Sequence, residues 1–485
     1  MRIAIVHFHL QTGGVTRVIQ HACGALTAAG HRVAVLCGEA PQQPVGDDVP
    51  VRVLAALDYE ERRAPAGPSE LAAALRDAAR EALGGTPDVW HVHNHCLGKN
   101  LALPGALRQL AESGAHLLLQ PHDFAEDGRP ALYRRMLETI GHQNGADLAA
   151  LLYPLAPQIH YAVLNSRDHD FLAAAGVPAS RLHLLPNAVC IGASSPSPVA
   201  RKPESARLWL YPTRAIRRKN VGELLLWAAL GAAEDRFATT QAPQNPAELP
   251  RYRRWVALAE ELGLPVEFGL GDRCDDFGAL LASSHALVTT SVGEGFGLAF
   301  LEPWLIGRPL AGRDLPEITA DFRAKGIQLD DLYQCLLVPL QWIDAERLRA
   351  ELAAALERQA LAYGRPLPPD AVQRAWDAAV SDDYIDVGRL DEQAQEAVIR
   401  RLQADPLARS AMPTSVLAAS TDPDLIAANR AAVIAHYDLA NYGRRLQQLY
   451  TDLVESEPSA RLAHANGDIL FDQFSDPARL RLLRT

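Results

Sequence analysis

No apolar run in these 485 residues is long enough to span a bilayer. A cysteine framework is missing as well. Cys23, Cys37, Cys96, Cys190, Cys274 and Cys335 are scattered, with no CxxC and no ligand-like spacing. They read as reduced core or loop thiols of a cytosolic protein. An excess of positive charge is also lacking. The formal net charge of −11 argues against nucleic acid and against a broadly cationic membrane-binding face, though a local basic pocket stays open. No internal repeat is found. Met1 to Phe8 runs straight into a strand pattern, so no signal peptide is expected and the expected location is cytoplasmic.

A chain of this length exceeds one comfortable core, so two domains plus appendages are expected. Its 48% apolar and 22% charged content fits an ordinary soluble globular protein. The first half alternates strand and helix. Strands are expected at Arg2–Phe8, Arg32–Cys37, Val89–His93, His116–Gln120, Tyr161–Asn165 and Leu182–Leu185, and helices at Val15–Ala29 and Ser69–Leu83. The small, polar, proline-containing stretch Cys190–Ala206 reads as a linker. A second alternating unit follows, with strands at Leu208–Tyr211, Phe237–Thr240, Val266–Phe268 and His285–Thr290, and helices at Val221–Leu230 and Ala247–Leu262. From about Trp342 the pattern becomes helical, broken near Pro366 and Pro413.

Chemistry concentrates in Thr289–Pro309, TTSVGEGFGLAFLEPWLIGRP. The pattern predicts a buried strand end, a glycine loop and a helix opening near Gly297. Gly293, Gly295 and Gly297 alternate with Glu294 and Phe296. Without Cβ atoms a ligand approaches that backbone closely, and free N–H groups at a helix start suit an anion. Glu294 and Glu302 would repel phosphate, so they are expected to accept hydrogen bonds from hydroxyls. A diphosphate flanked by hydroxyl-bearing groups, as in a sugar nucleotide, fits that layout.

Within GEGFGLAFLE, directly after a buried strand, Glu294-x7-Glu302 resembles the signature of retaining GT-B glycosyltransferases, especially family 4. The resemblance implies an α/β GT-B fold: two Rossmann-like domains facing across a cleft, with a helical C-terminal extension. The expected divisions are 1–190 (acceptor side), 191–206 (linker), 207–435 (nucleotide-sugar side, with a helical insertion from about 342) and 436–485 (closing helix and tail). Asp438–Val454 resembles the family's closing helix. The resemblance implies that Glu294 holds sugar hydroxyls and Glu302 the ribose. Gly295, Phe296, Gly297 and Leu298 then line the donor. YPTRAIRRKN resembles the family's Arg-x4-Lys, so Arg214 and Lys219 are implied to hold the diphosphate. Arg217 and Arg218 read as solvated surface charge.

In the first half, Gly13 and Gly14 sit where open α/β sheets bind phosphate, and Gly14 is the better match to the family's donor contact. Glu39 after the second strand leaves a dinucleotide fold as a competing reading, but QTGGVTR lacks the third glycine of G-x-G-x-x-G. LLLQPHDF resembles the family's His-Asp and implies that His122 faces the donor sugar, with Asp123 beside it. His91, His93 and His95 fall on one strand face at period two, and a metal site there is conceivable. The family instead implies metal-independent transfer; His93 is read as lining the cleft, with Lys99 and Asn100 as candidate acceptor contacts. Ser166 and Asn187 lie in end-of-domain motifs, with turn and packing roles first. One departure is that Thr239–Trp255 has no glycine where the family usually packs the base.

The expected activity is transfer of a hexosyl group, with retention, from a nucleotide-diphosphate sugar to a small soluble hydroxyl-bearing acceptor, without a cofactor. A GT-B epimerase or hydrolase, or a non-catalytic nucleotide-sugar scaffold, are the alternatives. No stable membrane association is expected. Helix Ser69–Leu83 carries Glu70, Asp77 and Glu81 against Arg76 and Arg80, and so lacks a positive face. Arg251, Arg253, Arg254 and Trp255 form an alternative dock.

Overall fold

A computed structural model describes the chain except residues 12, 47, 60–65, 191–205 and 413–416. The expected linker therefore lies almost wholly outside the described residues, as does the break near Pro413. The chain divides into two compact units. Unit 1 comprises Met1–Ala188, Ala362–Arg365 and Tyr437–Ser475; unit 2 comprises Val189–Leu361, Pro366–His436 and Asp476–Thr485. The region expected as a closing helix and tail is thus shared. Helix Leu439–Val454 packs in unit 1, where Gly443 brings its backbone so close to Ala25 that a Cβ would stand 2.9 Å from the alanine Cβ. Segment Asp476–Thr485 belongs to unit 2.

Unit 1 carries β1 (Arg2–His7), β2 (Arg32–Cys37), β3 (Val51–Val53), β4 (Val89–His93), β5 (Leu117–Gln120), β6 (Pro154–Leu155), β7 (Ile159–Val163) and β8 (Leu182–Leu184). Seven of these form a parallel sheet in the order β3-β2-β1-β4-β5-β7-β8. Ile3 to Val6 are completely buried, as a strand covered on both faces requires. Buried polar residues at the C-terminal ends are His7, His93 and Gln120, while His91 and His160 lie further back in β4 and β7. The C-terminal edge is where open parallel sheets bind ligands. β6 pairs antiparallel with strand Ala463–His464.

Unit 2 repeats the plan with β9 (Arg207–Arg214), β10 (Asp235–Gln241), β11 (Val266–Glu267), β12 (Ala286–Thr289), β13 (Leu310–Arg313) and β14 (Leu332–Tyr333), all parallel in the order β11-β10-β9-β12-β13-β14. Both units are Rossmann-like. Every residue of helix Val221–Leu230 is buried, Glu223 included, because helix Glu392–Ala404 covers the side turned from the sheet. An apolar helix all round demands such cover.

The region from Trp342, expected to be helical, is mixed. β15 (Leu337–Pro339), β16 (Val380–Ser381) and β17 (Tyr384–Asp386) form an antiparallel sheet in the order β15-β17-β16. A buried charge cluster joins this sheet to the Rossmann core. Arg313, 3% exposed, donates to Glu223 at 2.7 Å and to Asp386 at 2.8 Å. Tyr333 and Asn220 donate to the same glutamate at 2.6 and 2.7 Å. Satisfying every polar atom in this way is what makes a buried charge tolerable.

Candidate active site

In unit 2 the loop after β12 is fastened to a short turn, Arg217–Lys219, that follows β9. Thr290 Oγ1 donates to the carbonyls of Lys219 and Asn220 at 2.9 Å each, and Val292 N donates to Arg218 O at 2.9 Å. These bonds set Glu294 against the turn's cations. Lys219 Nζ donates to Glu294 Oε1, and Arg218 Nη1 donates to Oε2 at 3.0 Å. Only 9% of the Glu294 side chain is exposed. Burial disfavours its charge, but Lys219 and then Arg218 outweigh burial and hold the carboxyl below its ordinary value. Burial also lowers the Lys219 ammonium, with Glu294 opposing that shift.

Arg218, although partly exposed, is therefore an ion-paired cation rather than a merely solvated one. So is Arg217, whose guanidinium pairs with Glu392 at 2.6 and 2.9 Å while its backbone N–H donates to Glu248 at 3.0 Å. The reading of both as solvated is corrected, because the tight turn points them at carboxylates far away in sequence. Arg214 ends β9, is exposed, and donates to Gln241 at 3.4 Å. Lys219, rather than Arg214, is the cation beside Glu294.

The helix expected near Gly297 is broken. Gly297 takes a left-handed φ of 92°, and a Cβ there would stand 2.8 Å from Ile318. A single 3-10 turn, Leu298–Phe300, follows, and then the short helix Glu302–Leu305. Pro303 has no N–H to join these turns. Glu302 opens that helix and is half-buried; Gly295 is exposed, and Leu298 half-buried. Phe296 packs into the core against Phe322 at 5.7 Å between centroids, so only its backbone can meet a ligand.

In unit 1, helix Gly14–Ala28 begins at the glycine pair. A Cβ on Gly14 would meet nothing within 4 Å, so packing does not require glycine there and the helix start is left open. Glu39, the acid on which a dinucleotide reading leaned, accepts from Gln11 at 2.8 Å.

His122 stacks on His93 with Nε2 2.8 Å from His93 Nδ1. Burial, followed by the neighbouring His91, pushes His122 down to about 3. His93 is fully buried behind it, so it supports His122 rather than lining a surface. His91 is held at both ring nitrogens, by Tyr450 and Gln120, at 2.8 Å each. The period-two reading fails at Asn94, whose left-handed φ of 56° turns the chain. His95 consequently meets Leu152 O at 2.8 Å instead of joining the other two. Among the described residues no group of three His, Cys, Asp or Glu side chains is arranged to hold a metal. Asp123 pairs with Arg129 at 2.8 Å.

Asn100 is corrected from acceptor contact to brace. Its amide donates to Ala56 O and Asp58 O at 2.8 and 2.9 Å, and its oxygen accepts from the N–H groups of Ala102 and Leu103 at 3.1 Å each. All four hydrogen-bonding positions of the side chain are thereby used. Lys99 is half-buried with its ammonium 5.0 Å from the Tyr59 ring centre. Around the other motifs, Asn165 caps helix Ser166–Ala174 by accepting from Asp168 N at 2.8 Å. The Asn187 side-chain oxygen is buried.

Two positioning residues escaped the sequence reading. Asn94 Oδ1 accepts from the N–H groups of His122 and Asp123 at 2.8 and 3.2 Å, fixing that corner. An asparagine directly after a strand, tolerant of left-handed backbone, was the available signal. Glu392 gave none, being 175 residues from Arg217. Close to the end of β10, a Cβ on Gly271 would stand 2.9 Å from Thr240.

The alternative membrane dock is largely spent within the protein. Arg254 pairs with Glu396 at 2.7 Å, Arg251 lies 3.5 Å from Glu392, and Trp255 is buried. No described helix is long and apolar enough to cross a membrane.

Residues 13–188 match the glycosyl transferase 4-like domain family. The chain carries a glycosyl transferase 4-like domain in that region. Over 270 residues it is 27% identical to mannosylglucosyl-3-phosphoglycerate synthase of Petrotoga mobilis, a match covering 52% of this chain and 51% of that protein. The chain thus spans about half the length of that curated relative. Its fold is GT-B. Sucrose-phosphate synthase of Thermosynechococcus elongatus superimposes with a TM-score of 0.54 at 17% identity, covering 93% of this chain and 99% of the other. HepE of Anabaena, solved with UDP and glucose, gives 0.51 at 13% identity, with coverage of 93% and 99%. At such identities the GT-B likeness speaks of fold alone.

Proposed function

We propose that the protein is a retaining glycosyltransferase that moves a hexosyl group from a nucleotide-diphosphate sugar to a hydroxyl of a small soluble acceptor. The observation that carries this reading is Glu294 held by Lys219 and Arg218 in a loop at the C-terminal end of a parallel strand. Such a site combines an ionised acceptor of sugar hydroxyls with fixed cations for a leaving diphosphate. The 4-like domain and the GT-B fold support it. So does the Petrotoga relative, named as a synthase of a mannosylglucosyl phosphoglycerate.

In the proposed step the anomeric C–O bond to the diphosphate breaks, and a bond from the acceptor oxygen forms on the same face. The acceptor proton passes to the departing phosphate oxygen. No protein nucleophile is needed, so Glu294 binds and does not attack. Lys219 and Arg214 stabilise the charge that develops on the diphosphate, and Glu302 receives the ribose hydroxyls. Among unit 1's own candidates, Gly14 offers an open helix start to phosphate and His122 a neutral imidazole to sugar hydroxyls. The reaction requires no metal or other cofactor on this reading, and the enzyme works in the cytoplasm.

The reading is tested by incubating the protein with nucleotide sugars and candidate acceptors and following the anomeric product by NMR. An acceptor glycoside with retained configuration is expected. Free sugar or an epimerised nucleotide sugar from donor alone, with no transfer, would favour the hydrolase or epimerase instead.

A further inference from the structure

A cavity of about 490 Å³ opens in unit 1 at the edge of its sheet opposite to His7, His93 and Gln120. Arg2 and Asp88 line it where β1 and β4 begin. Helix Pro68–Leu83 brings Arg76 and Arg80 to its wall, while Trp90, Leu110 and Val454 give it apolar surface. Such a volume suits a small metabolite.

The wall is positive in a protein whose formal net charge is −11. Arg2 is neutralised, because its backbone N–H and its guanidinium donate to Asp88 at 2.7 and 3.3 Å. Arg76 is not. Its Nη2 donates to the Gln109 carbonyl at 3.3 Å and to the Ser113 hydroxyl at 3.2 Å, both neutral groups. Among the described residues no acceptor meets its Nε or Nη1. Arg80 has Asp77 only at 3.9 Å, in a pair so exposed that it carries little. Four residues apart on one helix, Arg76 and Arg80 share a face and repel each other.

Trp90 adds a donor. It is 2% exposed, and among the described residues no acceptor meets its indole N–H. Buried indoles ordinarily find a partner, and an oxygen of a molecule in the cavity would be one. We propose that this cavity is a binding site for a small phosphate monoester, separate from the donor and acceptor sites. At neutral pH such an ester carries about two negative charges, which match the two arginines that lack a close carboxylate. The free fork of Arg76 fits phosphoryl oxygens, and the body of the ester covers Trp90 and Leu110. Open α/β sheets bind their substrates at the other edge, so the molecule held here is not the sugar acceptor. The site stands independently of the donor chemistry in unit 2.

The test uses the full chain. Wild type, Arg76→Gln, Arg80→Gln and Lys219→Ala are titrated calorimetrically with ribose 5-phosphate and glycerol 3-phosphate, and with ribose and citrate as controls. Thermal unfolding without ligand checks that each variant folds. Arg80→Gln keeps the test decisive should Arg76→Gln loosen its helix, since Arg80 holds so little of the fold. Wild type is expected to bind at least one ester, each arginine change to weaken it about tenfold, and Lys219→Ala to leave it unaltered. Ribose should not bind, and citrate should bind more weakly than the ester. Failure of wild type to bind either ester would overturn the proposal, as would equal binding by wild type and Arg80→Gln. Loss in Lys219→Ala alone would overturn it by placing the phosphate in unit 2. Ribose or citrate binding as tightly as the esters would overturn the ligand class.

Discussion

Arg218 Nη1 lies 3.0 Å from Glu294 Oε2, on a carboxylate whose other oxygen receives Lys219. A charge run that looks solvated in sequence therefore sets the ionisation of the loop's glutamate. Removing Arg218 should raise the Glu294 carboxyl, since burial would then be opposed mainly by Lys219. The depressed pKa means that the charged form, and the stability that comes with it, is kept above the ordinary glutamate value and lost as pH falls through the lowered one. Arg218→Ala should shift the acid limb of the kcat/KM profile upward. An unmoved limb in a folded variant would separate Arg218 from Glu294.

Arg214→Ala and Lys219→Ala should each cost about a hundredfold or more in rate, the usual cost of losing a charge-stabilising group. Because Lys219 is buried on Glu294 and Arg214 is exposed, the lysine variant should also lose stability and the arginine variant should not. Steady-state kinetics beside urea titrations read both effects. Full turnover in either variant would remove that residue from the diphosphate site.

The buried imidazoles of unit 1 give a stability prediction. Burial lowers His7 and His122 to about 3, and His91 and His95 to about 4. In the unfolded chain they titrate near 6.5. Between those values the unfolded state binds more protons, so stability is fully present above 6.5 and falls as pH drops toward 4. Each such group contributes up to about 1.4 kcal/mol per pH unit. Calorimetry should show Tm dropping steadily from pH 7 to pH 5. A flat profile would mean that these rings are not buried neutral.

Much of the framework was legible because strongly periodic or wholly apolar segments state their type. Helix Val221–Leu230 and strands Arg32–Cys37 and Val89–His93 lie where the pattern puts them. β3 and the β15–β17 sheet escaped because two- or three-residue strands carry no period to read. The glycine loop was legible through its close spacing. The partners of Arg217 and Arg218 were not, since pairing across tens to hundreds of residues leaves no local trace. His95 and Asn100 misled for a related reason: left-handed backbone at Asn94 and again at Gly98 redirects the chain after β4.

Asn100→Ala distinguishes brace from acceptor contact. Loss of four bonds to buried backbone should destabilise unit 1 by about 2 kcal/mol or more. Acceptor KM should change little at temperatures where the variant is folded. A raised KM with unaltered stability would return Asn100 to the acceptor side.

Breaking the Arg313–Glu223–Asp386 cluster should be among the costliest single changes in unit 2. Glu223→Ala leaves a guanidinium buried without one of its two carboxylates, at about 3–5 kcal/mol. Denaturant titration checks it, and a loss below 1 kcal/mol would show that solvent reaches the cluster.

The most direct measurement of the central claim is calorimetric titration of the wild-type protein, Lys219→Ala and Arg253→Ala with a panel of UDP-, ADP- and GDP-sugars. Arg253 is exposed on helix Leu249–Glu261 and serves as the charge-matched control. The account predicts saturable binding of at least one nucleotide sugar, weakened about tenfold or more by the lysine change and untouched by the control. No binding by the wild type, or equal binding by all three proteins, would contradict it.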